Sequence, residues 1–179
     1  MTDLTPVLSG DEEFVPRRPK AGDQLLSTSG TIAVSDLLFE IVSERRDRLY
    51  RAEAAAEIIR RIGPYRWVGI YDVGPEDACV FAWTGKEPPA FVRFPIGPGL
   101  TGEAVRTRRT VVVNDVLNDP RYLTAFAGTR SEIIVPVFHP SGDRVVGTID
   151  VESEKLNAFA ARDQLVLEQC AVALGPLWE

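Results

Sequence analysis

Apolar and polar residues follow three regimes along the chain. Residues 1–30 show neither a helical nor a strand period; they carry Pro6, Pro16 and Pro19 among mixed charges and are read as a flexible arm. Residues 31–62 contain no glycine or proline, and Val34, Leu38, Ile41, Leu49, Ala52, Ala56 and Ile59 recur at threes and fours, which predicts one long helix or two in succession. Glu44 with Arg48, Asp47 with Arg51 and Glu57 with Arg61 add favourable i,i+4 pairs, and Gly63-Pro64 ends the segment. Unbroken, 31–62 would run about 48 Å, beyond the width of a small domain. That length points to a homodimer through this helix, against a kinked helix folded back on its own domain.

After Pro64 the period changes to two. Residues 65–73, 78–85 and 91–96 read as strands, 99–109 as a short helix, 110–115 as a strand and 116–130 as a long loop. Residues 131–138 and 144–152 form a hairpin about Pro140-Ser141-Gly142-Asp143, and 159–178 is the closing helix. The pattern is an α/β sheet with helices at one face. The expected division is an arm (1–30), a helix (31–63) and one globular domain (64–179).

Composition narrows the function. The 179 residues are 45% apolar, and 20 basic against 26 acidic residues give a net charge of -6, so a nucleic-acid surface would be built against the overall charge. No apolar run reaches the roughly 20 residues of a membrane span and no basic-then-apolar leader opens the chain, so a soluble, cytoplasmic protein is expected. Cys79, Cys170 and His139 are the only thiols and imidazole, too few for a zinc site within the chain. His139 sits in a turn and reads as a surface residue. No cofactor or metal is expected.

Candidate chemistry comes from strand parity. Val145, Gly147, Ile149 and Val151 point one way; Thr148, Asp150 and Glu152 point the other, with the two carboxylates about 7 Å apart. Glu132 begins the antiparallel partner and Asp115 ends the preceding strand, so up to four carboxylates gather at one end of the sheet. Trp67, Gly69 and Tyr71 share a face of the first strand, the glycine leaving room between the rings. Aromatic walls with converging carboxylates suit a small cationic or zwitterionic ligand. The alternative is that the rings are ordinary core and the acids are solvated or paired with Arg121 or Arg130. Gly97-Pro98-Gly99-Leu100-Thr101-Gly102 lacks the lysine of a phosphate loop and reads as a tight strand-to-helix turn.

Several motifs together resemble the GAF domain family of small-molecule-binding modules. They are Gly99-Leu-Thr-Gly-Glu-Ala, Asn114-Asp-Val with Asp119-Pro-Arg-Tyr, Ser131-Glu-Ile-Ile-Val-Pro-Val, Val146-Gly-Thr-Ile-Asp-Val-Glu-Ser and Ala158-Phe. The resemblance implies a GAF-like, α+β type fold: a six-stranded, mostly antiparallel sheet, with N- and C-terminal helices on one face, a ligand pocket on the other, and frequent dimerisation. Within the family the chain looks closest to the free methionine-(R)-sulfoxide reductases, whose pocket motif falls on Trp67, Tyr71, Glu132, Asp150 and Glu152; Asp115 is an addition from its place at the end of the preceding strand and is not part of that motif. Those enzymes require cysteines. At the matching positions stand Phe91 and Thr101, and 116–130 contains none. Cys79, grouped by parity with Phe81 and Trp83, and Cys170 read as core residues. A tetrapyrrole-attaching pocket would need a cysteine that is missing. The cyclic-nucleotide signature is met by Lys155, Phe159 and Asp163 but not by Glu154 and Gln164, and a Lys155–Asp163 ion pair is expected instead. The expectation is therefore a non-catalytic ligand-binding regulatory protein acting through a homodimer or a protein partner. A reductase is the first alternative and a cyclic-nucleotide module the second.

Overall fold

The computed structural model describes residues 33–179 apart from positions 125 and 143, so the predicted arm lies outside the described residues. Two helices come first, α1 (Val34–Val42) and α2 (Arg48–Arg60), followed by strands β1 (Trp67–Val73), β2 (Asp77–Gly85) and β3 (Arg93–Pro95). Helix α3 (Gly99–Thr107), strand β4 (Val111–Val113), a 3-10 turn (Val116–Asn118), strands β5 (Ser131–Phe138) and β6 (Val145–Ser153), helix α4 (Ala161–Leu174) and a final 3-10 turn (Gly175–Trp178) complete the chain. The strands form one six-stranded sheet in the order β3-β2-β1-β6-β5-β4, every neighbouring pair antiparallel. No helix among the described residues is long and apolar enough to cross a membrane.

Of the two alternatives read for 31–62, the described residues form two helices in succession and not one continuous helix. Asp47, read as the ion-pair partner of Arg51, caps α2 by accepting from the Tyr50 N–H at 2.8 Å, and Arg51 donates to the Val42 carbonyl at the end of α1. A side chain satisfying the first free amides starts a new helix where the old one would have run on. Arg48 turns from Glu44 to Asp72 on β1, at 2.5 Å, while the Glu57–Arg61 pair forms at 2.9 Å. Helix α1 packs against α2 and α4, and α2 lies on β1 and β2, so the 48 Å projection that suggested a dimer does not exist.

One face of the sheet carries the main core: Val68, Ile70, Ile133, Val135, Ile149 and Val151 meet Leu38, Ala52, Ala56, Ile59, Leu167 and Leu174 from the helices. The opposite face carries two smaller apolar groups. Leu100 and Ala104 of α3 cover Val111, Val113 and Ile134; Trp67, Tyr71, Ala78 and Phe126 cluster with Val80, Trp83, Phe94 and Ile96. A bulge opposite Ile70 and Tyr71 places Phe81 as an extra residue, since Ile70 pairs with Ala82 and Tyr71 with Val80. An extra residue reverses parity. Phe81 therefore faces the helices and Trp83 the other side, so the expected shared face of Cys79, Phe81 and Trp83 does not hold.

Candidate ligand-binding site

Antiparallel pairing sets Trp67 opposite Glu152, and Glu152 opposite Glu132, so three strands contribute one row of side chains on the face away from the main core. The next row is Gly69, Asp150 and Ile134, and the row after it begins with Tyr71 opposite Thr148. Directly opposed residues point the same way, which is why the acids and the rings converge. One oxygen from each of Glu132, Asp150 and Glu152 lies within 4.8 Å of the other two, a span one small cation can bridge with an all-oxygen donor set. The three carboxylates are 7%, 7% and 1% exposed.

The aromatic wall depends on absent side chains. A Cβ at Gly69 would lie 2.2 Å from the Trp67 ring and one at Gly85, its cross-strand partner, 2.4 Å from it. Two glycines thus let the indole lie down on the sheet. Trp67 and Tyr71 ring centres are 6.3 Å apart, Phe94 stands edge-on to Tyr71 at 5.5 Å, and Phe126 covers Trp67 at 5.2 Å.

Few protein donors reach the acids. The Thr129 hydroxyl donates to Glu152, and Arg66 lies near enough to favour that carboxylate's charge. Glu132 Oε2, Asp150 Oδ1, Trp67 Nε1 and Thr148 Oγ1 are buried without a protein partner. Burial, then the charge of Glu152, pushes the Glu132 carboxyl up to about 8; burial pushes Glu152 up to about 7 against the opposing pull of Thr129 and Arg66. Asp150 is held well above the usual carboxylate range by burial and by its two acidic neighbours. Tyr71 is raised as well, first by burial and then by the same three acids.

Five of the six residues singled out from the sequence come together; Asp115 does not join the acid group. It follows β4, which stops at Val113, and it accepts from Asn118 at 2.6 Å with Arg130 3.9 Å away. Arg121 pairs with Asp119, so neither arginine neutralises Asp150 or Glu152. Arg66, Phe126 and Thr129 escaped sequence reading. Arg66 falls inside the predicted strand 65–73 on the parity of Val68 and Ile70, away from Trp67, and the other two lie in a loop without a period. Asp163 accepts from the Ala160 N–H at the start of α4, and the expected ion pair with Lys155 is not formed. Cavities of about 860 and 500 Å³ lie elsewhere, the larger between α1, α4 and the β5–β6 hairpin and the smaller beside Arg60, Tyr65 and Lys86.

Neither cysteine shares the acidic face. Cys79 pairs with Asp72, on the side away from Tyr71, and Cys170 is buried in the helix-side core, where desolvation pushes its thiol up to about 12. Phe91 is 48% exposed and Thr101 is buried at the start of α3.

The sheet order and the flanking helices are those of a GAF domain. Residues 51–177 match the GAF domain family, and the chain belongs to it. It is 34% identical over 103 residues to GAF domain-containing protein A of Dictyostelium discoideum, a match covering 58% of this chain and 63% of that one. Among solved structures it resembles the free methionine-R-sulfoxide reductase of Neisseria meningitidis in complex with its substrate. The TM-score is 0.73 at 30% identity, covering 81% of this chain and 86% of that one. The type II enzyme of that name from Thermoplasma acidophilum gives 0.68 at 33% identity, covering 78% and 94%.

Proposed function

We propose that this chain is a non-catalytic GAF module that binds a small amino-acid-like or cationic metabolite between the rings of Trp67 and Tyr71 and the carboxylates of Glu132, Asp150 and Glu152. The observation that carries the reading is the convergence of three buried acids, two with unpaired oxygens, on one aromatic wall. An ammonium donates to such oxygens and is attracted by ring faces. Output then passes through a protein partner or a second copy. Exposed Phe39 on α1 and Leu165 and Val172 on α4 support the latter, in place of the overlong helix.

Similarity to reductases favours a second reading, in which the chain reduces free methionine sulfoxide. That chemistry needs a thiolate to attack sulfur and a second thiol to resolve the product. The two cysteines of this chain lie off the acidic face, one of them with its thiol strongly raised, and this supports binding without turnover.

Thermal denaturation against amino acids, methionine sulfoxide and cyclic nucleotides tests both, since a ligand at 100 times its dissociation constant adds about 2.7 kcal/mol. Methionine sulfoxide, through its ammonium group, or another amino-acid-like or cationic ligand is expected to raise Tm, with no thiol-dependent turnover. Turnover lost in Cys79→Ser or Cys170→Ser overturns the non-catalytic reading; a response to cyclic nucleotides alone overturns the choice of ligand.

A further inference from the structure

We infer that the empty site is kept near neutral by protons held among Glu132, Asp150 and Glu152, and that a cationic ligand enters by displacing a proton, so that occupancy rises with pH. The inference rests on the acid group being the ligand site.

The geometry asks for a proton. Glu132, Asp150 and Glu152 each bring an oxygen within 4.8 Å of the other two, and carboxylates crowded that closely away from water cannot all be ionised, so the empty group must carry hydrogen. Glu132 Oε2 and Asp150 Oδ1 have no protein donor, and both side chains are more than nine-tenths buried. The charged groups around the cluster do not supply the missing cation. Arg66, preceding β1, acts on Glu152 but also holds Glu87 and Glu154, at 3.2 and 3.5 Å. Tyr71 from β1 stays protonated, and Asp119 adds negative charge toward Glu132. Arg121 is paired with Asp119, and the acid nearest Arg130 is Asp115. Midpoints of about 8 for Glu132 and about 7 for Glu152 agree with this arrangement.

When an ammonium enters, it donates to the carboxylate oxygens and favours their ionised form. The balance is simple. The ligand keeps its positive charge, one carboxyl O–H bond breaks, and the proton passes to solvent. No electron moves. With one proton released per ligand bound, affinity falls about tenfold for each pH unit below the midpoint.

Calorimetric titration with L-methionine (R)-sulfoxide at pH 5.5, 6.5, 7.5 and 8.5, each in buffers of different protonation enthalpy, reads the proton count directly. About one proton released at pH 6.5 is expected, with affinity weakening by tenfold or more from pH 7.5 to 5.5. Glu132→Gln should reduce the release and flatten the slope. A parallel carbon NMR titration of the ligand-free side-chain carboxyls should show midpoints near neutrality. Binding with no proton release and a flat pH profile overturns the exchange and leaves the ligand reading intact, as does a ligand-free titration complete below pH 5. No binding at pH 8.5 overturns both.

Discussion

Asp150 shares one cluster of carboxylate oxygens with Glu132 and Glu152, so replacing it with asparagine removes a buried acid and supplies a neutral donor in its place. A hydrogen bond to a charged group contributes roughly 1.5 to 3 kcal/mol, so Asp150→Asn should weaken a cationic ligand on the order of ten- to a hundredfold. Above pH 8 the empty variant should melt no lower than the parent, because repulsion is relieved. Calorimetry and a ligand-free melt separate the two effects, and a large fall in Tm without ligand would mark Asp150 as structural. Five of these side chains were legible because a strand alternates strictly: once 65–73 and 144–152 are strands, Trp67, Tyr71, Asp150 and Glu152 must share faces, and the hairpin brings Glu132 alongside. Asp115 was expected beside the acids as the last residue of a strand over 110–115, but β4 stops at Val113 and the chain turns away before Asp115. Phe126 and Thr129 were invisible, since only tertiary closure brings their loop over Trp67 and Glu152.

At the scale of elements, the break between α1 and α2 shows how capping overrides continuity. Asp47 fits both an i,i+4 pair and an N-cap, and the structure uses the cap. Asp47→Ala should therefore cost about 1 kcal/mol in a denaturant titration, more than the few tenths expected of an exposed ion pair. The folded-back alternative was visible in the spacing itself, because the step from Ile41 to Leu49 skips two expected apolar positions. The β2 bulge had no such signal: an extra residue reverses parity without changing composition. The outer faces of α1 and α4 carry the expectation of a second copy, with Val172 80% and Phe39 57% exposed. Val172→Glu is expected to lower the mass seen by light scattering, and a concentration-independent monomer for the parent protein would overturn the dimer.

For the molecule as a whole, the acid site is a liability that varies with pH. Glu132 and Glu152 titrate at about 8 and about 7 in the fold, against about 4.3 in an unfolded chain. Between those limits the folded state binds more protons than the unfolded one, so stability falls as pH rises. The contribution is fully present below the unfolded value and lost by about pH 8. The ligand-free protein should therefore melt at a lower temperature at pH 8.5 than at pH 5.5, and Glu132→Gln should shrink the difference. The six-stranded antiparallel sheet and the terminal helices on one face agreed with the family motifs because those motifs sit on strand and turn positions that fix topology.

The glycine pair beneath Trp67 has an optical consequence. An indole pressed between Gly69, Gly85 and Phe126, 1% exposed and with its N–H unpaired, is shielded from solvent, unlike the half-buried Trp83 and Trp178. In a chain whose other two tryptophans are replaced by phenylalanine, emission should be blue-shifted and resistant to acrylamide. It should change intensity as the adjoining carboxyls gain or lose protons, giving the site a built-in fluorescent gauge of its own occupancy.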